Sequence, residues 1–262
     1  MADSTLSLSF TDFKGQVGEF LNYGYSSTNW TTNQEAQIER LVQAGYRQFL
    51  YPPATEGVQP GYEWSFLKPV TTITTVSDDE DQDLPDDFGR LIQGFTFAAN
   101  AQVPTIIADV GEAKIRELRQ RFDEGGRPRV AAVRIKAGTG YAGQKREVMW
   151  YPDPDDAYVL SYRYDAFVDK LTLALPYPLG GMIHGQLVLL SCLAAAEALR
   201  EDTRGVHWDN FVRNLIASVQ RDKREGTKFF GQVGCKGEYD GTSDARSAHS
   251  YSLSVGGATL YP

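Results

Sequence analysis

At 262 residues, with 42% hydrophobic and 23% charged side chains, the chain is long enough for one large domain or two modest ones, and for a substantial core. A formal net charge of −8 counts against a nucleic-acid-binding surface, because such surfaces need cations to displace condensed counterions. Two cysteines, Cys192 and Cys235, offer neither a disulfide framework nor metal-ligand spacing, so assembly in a reducing cytoplasm is expected, without metal or cofactor.

Residues 1–5 carry no basic region and no apolar run, so no secretion signal is expected. A first helix is predicted to begin at Thr11-Asp12, with Phe13, Val17, Phe20 and Leu21 on one face, and to end at Asn22-Tyr23-Gly24, where glycine supplies the left-handed cap. A second helix shows Ile38, Leu41, Val42, Gly45, Tyr46, Phe49 and Leu50 at helical spacing, with Thr32 and Glu35 as its capping box. Pro52-Pro53 end it. Trp64 is expected to anchor a core or an interface.

The period changes between about 69 and 176. Tyr158, Leu160, Tyr162 and Tyr164 alternate with polar or smaller neighbours as a half-buried strand does, and Leu171, Leu173 and Leu175 repeat the pattern. Phe95 with Phe97, and residues 103–110, 130–135 and 148–151, are further strand candidates rich in β-branched and aromatic side chains. One short helix interrupts them, capped by Asp109 and Glu112, lined by Ile115, Leu118 and Phe122, and closed by Gly125-Gly126.

Two more helices follow. Residues 183–199 are apolar on nearly every face, which predicts burial all round, and Leu187, Leu190 and Leu193 are its expected inter-subunit contacts. The core of that run, 187–199, is interrupted by Ser191 and Glu197 and is too short to span a bilayer, so no membrane is expected. Trp208, Phe211, Val212, Leu215, Ile216 and Val219 mark an amphipathic helix that ends in the charged run 221–225. After it the helical period fails and glycines and serines dominate. Phe229, Phe230, Tyr239, Tyr251, Leu253, Leu260 and Tyr261 are too many large apolar groups for a solvating tail, so an extended arm that docks on a partner is expected. No internal repeat is found. The order predicts an α+β protein: an α-helical bundle with a β-strand-rich insertion and an extended C-terminal arm. The expected divisions are an N-terminal helical segment (1–67), the β-rich insertion (68–178), the helix pair that completes the bundle (179–228) and the arm (229–262).

No constellation spells catalysis. The acidic run 78–83 lacks the spaced glycine and distal glutamate of a calcium loop and reads as a solvated loop. Asp153, Asp155 and Asp156, separated by Pro152 and Pro154, read as a turn. The glycine-rich run 138–143 lacks a phosphate-loop lysine and a following helix. Lys136, Lys145 and Arg146 beside it give local positive charge for a partner contact, too little for nucleic acid. The histidines, His184, His207 and His249, are dispersed, with His184 expected to pack or cap. Cys192 is expected to be buried and inert.

The ordered set "WTTNQEAQIERLVQAGYRQFLYPP", "YEWSFL", "LPDDF", "YPDPDDAYVLSYRY", "YPLGGMIHGQLVLLSCLAAAEALRED" and "GVHWDNFVRNLIASVQRD" resembles the head-to-tail adaptor (connector) proteins of tailed bacteriophages. The resemblance covers most of the chain in pieces, each moderately specific and together more so. It implies a structural virion protein of the neck, assembled in the host cytoplasm, in which subunits form a ring, commonly twelve-fold, beneath the portal protein. The ring extends the DNA channel without binding DNA specifically, and it offers a platform to a downstream tail or stopper protein. The C-terminal arm is the expected portal-binding element, and no catalytic residue carries over. Two alternatives stand beside it. One is a tail-completion or stopper protein; the other is a hydrolase built on Asp153 or Asp155 with His184 or His207.

Overall fold

A computed structural model describes residues 4–55, 58, 61–98, 107–122, 125–138, 143–201, 203–226, 253–255 and 258–260. It is a mixed α+β protein with five α-helices among the described residues and two principal sheets. The chain divides into two compact units, Met1–Arg224 and Glu225–Pro262.

Four helices of the first unit build one core. Helix α1 (Phe10–Phe20) starts at Ser9, whose hydroxyl accepts from the Asp12 N–H while the Asp12 carboxylate accepts from the Ser9 N–H, a reciprocal cap. It stops where Asn22, at φ 63°, takes the left-handed position, and the Tyr23 N–H reaches back to the Gly18 carbonyl. Asparagine therefore does the work expected of Gly24. Helix α2 (Thr32–Leu50) is capped by Thr31 and Gln34, one residue ahead of the predicted Thr32 and Glu35. Glu35 instead joins Glu39 in holding the buried Lys14 ammonium of α1, at 2.7 and 3.0 Å. All seven predicted apolar positions of α2 are buried.

Helix α4 (Met182–Glu201) packs along α2, and α1 touches both. At the crossing the backbones nearly meet: a Cβ on Gly45 would lie 2.4 Å from the Cys192 Cα. The Ser191 hydroxyl donates to the Gly45 carbonyl there at 2.8 Å. At 20 residues α4 is long and apolar enough to cross a membrane, longer than the run 187–199 suggested, but half of its most apolar window is buried inside the structure, as in the core helix of a globular fold. The expected burial all round is not met: Leu189, Leu190 and Leu193 are half-buried, and Met182, Ile183 and Leu199 are exposed. Helix α5 (Val206–Gly226) adds Phe211, Leu215 and Val219 to the core, and Trp64 fills its centre with its indole N–H donating to the Phe49 carbonyl at 3.0 Å.

Between α2 and α4 the chain forms two small sheets. One has the order β1 (Val70–Thr74), β7 (Val159–Ala166), β3 (Phe88–Phe97), all antiparallel. The other has the order β2 (Asp81–Asp83), β6 (Arg146–Tyr151), β5 (Val130–Ile135), β4 (Ala108–Asp109), with β4 parallel to β5. Their facing sides enclose a second core in which Phe88, Phe95, Trp150, Tyr162 and Tyr164 meet ring to ring. Helix α3 (Glu112–Arg121) covers the far side of the second sheet through Ile115, which packs with Ala132, Met149 and Tyr151. Val148 and Trp150 therefore face one core while Met149 and Tyr151 face another, and a strand buried on both sides reads as an unbroken apolar run.

Some expectations for this region change. Helix α3 has Gly111 at its N-cap, not Asp109, and ends at Arg121, ahead of Gly125-Gly126. The acidic run is not wholly a solvated loop. Its second half is strand β2, paired with β6, where Asp81 accepts from Arg134 and Arg119 at 2.7 and 3.0 Å. Lys136 and Lys145 are taken up by Asp83 and Asp86, so the positive charge expected beside the glycine-rich run is largely neutralised.

In the second unit β8 (Leu253–Val255) and β9 (Ala258–Leu260) pair antiparallel, Leu253 opposite Leu260. The expected arm is extended, and here two of its strands pair with each other. Phe229, Phe230, Tyr239, Tyr251 and Tyr261, with Cys235 and His249, lie outside the described residues.

Candidate interaction surface

Residues 167–181 lead from β7 back to α4 and form a strap across α2. Leu171, Leu173 and Leu175 alternate as a strand would, but the strap lies on a helix, which has no ladder of free backbone groups to pair with. Side chains of α2 supply the partners instead. The Gln43 amide grips Leu171 both ways: its Nε2 donates to the Leu171 carbonyl at 2.6 Å, and its Oε1 accepts from the Leu171 N–H at 3.1 Å. The Tyr46 hydroxyl accepts from the Leu179 N–H at 3.1 Å, and burial raises that phenol above its ordinary pKa. The first N–H of α1, on Phe10, donates to the Pro176 carbonyl at 2.6 Å.

Between these ties the Thr172 hydroxyl accepts from the Leu175 N–H at 3.0 Å and closes a turn. Leu171 points inward at 3% exposure, while Leu173 is 75% and Leu175 55% exposed, and Tyr177, Leu179, Met182 and Ile183 continue the apolar face. Scattered exposed apolar residues are ordinary; a series of them on a tied-down backbone makes this face the candidate interaction surface. Its order is set before any partner arrives, so little conformational entropy remains to be lost on binding.

Two buried carboxylates brace the helical core beneath this surface. Glu197 reaches from α4 to the start of α5 and accepts from the N–H groups of Gly205, His207 and Trp208 at 3.1–3.2 Å. Burial alone would raise its pKa; the three donors and nearby His207 more than offset that and hold it below the usual glutamate value. Asp222, near the end of α5, accepts from the Tyr62 hydroxyl and from both the N–H and the hydroxyl of Ser65. Sequence reasoning passed over both. The available signal was a carboxylate inside an apolar helical period, which needs donors to remain buried.

The expected contact residues of α4 divide. Leu187 is 2% exposed and is used inside its own subunit's core, which removes it from the inter-subunit set, whereas Leu190 and Leu193 keep part of their surface. The residues of the hydrolase alternative lie in different places. His184 is caged by the rings of Phe49, Trp64 and Phe66 in the helical core, and His207 sits edge-on to Phe20. Asp155, at the end of the sheets, accepts from the Tyr158 hydroxyl at 2.7 Å. Burial pushes the Cys192 thiol up to about 12, as an inert core cysteine requires. Among the described residues, no group of three His, Cys, Asp or Glu is placed to hold a metal ion. Several surface grooves lie around the strap and the flank of α2, and another lies on the three-stranded sheet beside Val70, Gln93 and Ser161.

No protein-family model matches the chain, and no curated protein matches it.

Proposed function

We propose that this chain is a subunit of a ring in the neck of a tailed-bacteriophage particle, a head-to-tail adaptor seated beneath the portal. In this reading the helices that share the first core are the bundle, the two sheets are its insertion, and the residues beyond the charged end of α5 are the portal-binding arm. The observation that carries it is the apolar face from Leu173 on the strap to Ile183 at the start of α4, whose strap is tied down by Gln43, Tyr46 and Phe10. The ordered motif resemblance in the sequence supplies the kind of assembly. The half-buried Leu190 and Leu193 on α4 support neighbours on a second side. The acidic balance suits a conduit through which DNA slides, since a basic wall would hold it. A two-stranded arm such as β8–β9 brings open strand edges that can extend a partner's sheet, and a ring multiplies a weak single contact.

Deletion of residues 229–262 tests the arm, because Met1–Arg224 is compact by itself. The truncated protein is expected to keep its circular-dichroism spectrum and melting transition and to lose attachment to portal-containing heads. Attachment at wild-type occupancy would reject the arm as the anchor and favour a stopper that contacts the tail.

A further inference from the structure

Between the strap and α2 runs a groove of about 590 Å³ that the strap's leucines line only in part. Leu171 and Phe10 make its apolar wall, and Arg40, Arg47 and Lys170 bring three cations to it. Arg40 donates only to the Ala36 carbonyl of its own helix, and among the described residues none of the three cations has an ion-pair partner. The one carboxylate in the lining, Glu39, is held by Lys14 at 3.0 Å. An acidic protein thus keeps a groove in which three cations stand without an ion pair among the described residues.

The complementary charge lies at the opposite end of β7. Two loops meet there: one follows β1 and carries Asp78 and Asp79, the other precedes β7 and carries Asp155 and Asp156. The Asp78 N–H donates to the Pro154 carbonyl at 2.8 Å and the Ser77 hydroxyl to the Asp155 carbonyl at 3.3 Å, which holds the loops side by side. Asp78, Asp79 and Asp156 have no ion pair among the described residues, and exposed Val76 beside them matches the groove's apolar wall. The eight residues of β7 span about 26 Å at ~3.3 Å each, so the two patches stand too far apart to meet within one copy.

We infer that the groove receives the acidic loop pair of a second copy of this chain, in a head-to-tail contact. The occupant is a second copy because both halves of the complementary pair belong to one chain and neither half is satisfied in it. A contact between two different patches repeats from copy to copy and closes into a ring when the rotation allows. The inference rests on the ring reading for its setting and adds to it the surface through which neighbours touch.

Sedimentation of the full chain at low salt and up to about 1 mM protein tests it, a range that detects millimolar contacts. Wild type is expected to associate with rising concentration and to dissociate as salt is added. Arg47→Glu with Lys170→Glu should weaken association about tenfold or more, and so should Asp79→Lys with Asp156→Lys. Circular dichroism establishes that each variant is folded. An equal mixture of the two variants should recover association, because each then offers the other a matching patch on both sides. Wild type that stays monomeric throughout, variants that associate as wild type does, or a mixture that stays apart would each overturn the contact. Portal-containing heads separate this from the neck reading. If both variants load onto heads at wild-type occupancy, the ring stands and this groove is not its contact. If wild type fails to load while the mixture result holds, the contact stands and the neck reading falls.

Discussion

The helical core and the sheet region of the first unit reach order by different means. The helices meet at a few positions with no slack, where Gly45 lies against the Cys192 backbone and the buried Glu197 ties α4 to the start of α5. The sheets distribute their stabilisation over ring contacts and partly buried ion pairs, such as Arg134 with Asp81 and Glu147 at 2.7 and 2.6 Å. A precise crossing concentrates the effect of a substitution, whereas a distributed face spreads it. The helical core should therefore be brittle, and the sheet region tolerant.

The largest contrast is between two glycines. Gly45→Ala forces its Cβ against backbone 2.4 Å away, which no rotamer relieves, and should destabilise by about 3 kcal/mol or more in denaturant unfolding. Gly94→Ala, in strand β3, meets only the Ile107 carbonyl at 3.8 Å and should change stability by less than about 1 kcal/mol. Comparable losses at the two sites would end the distinction between a precise and a distributed region.

Glu197 provides the next effect. Glu197→Ala removes the acceptor from three N–H groups and should destabilise by about 2 kcal/mol at neutral pH. Because the folded pKa lies below the ordinary 4.5, this contribution is complete above that value and fades as pH falls through the lowered folded value. Melting curves should therefore separate wild type from Glu197→Ala at pH 7 and bring them together in strong acid. A gap that persists unchanged at low pH would show that the variant acts through lost packing.

In the sheet region, Asp81→Asn should destabilise by about 1 kcal/mol or less, because its partners Arg119 and Arg134 keep other acceptors. Added salt should narrow the difference from wild type, and a salt-independent loss would mean that Asp81 matters through its strand. The smallest stability change belongs to the strap: Leu173→Ser, at a 75% exposed position, should leave the melting transition within about 0.5 kcal/mol of wild type. If the proposed neck role holds, the same variant should lower loading onto heads, and a variant that unfolds early would make Leu173 a core residue after all.

Local patterns carried much of this architecture. The buried face of α2 was readable position by position, because helical periodicity records which side of a helix leaves water. The alternation around Tyr162 marked β7, and the run at 130–135 coincides with β5, for the same reason at a period of two. Within the interaction surface, the apolar residues were visible but their role was not. Leu171, Leu173 and Leu175 alternate because one points onto α2 and the others into solvent, and no periodicity distinguishes that from a strand.

The tertiary structure decided the rest. Three-dimensional folding sets Gln43 against Leu171, Glu197 at the head of α5 and Asp222 against Ser65, pairs whose meaning lies in the partner and not in the neighbouring sequence. It also turned half of an acidic run into strand β2, since Arg119 and Arg134 converge on Asp81 only once α3 and β5 are in place. Burial pattern is a property of one segment and can be read from it. Charge pairing and close backbone approach are properties of two segments, and only the folded chain brings them together.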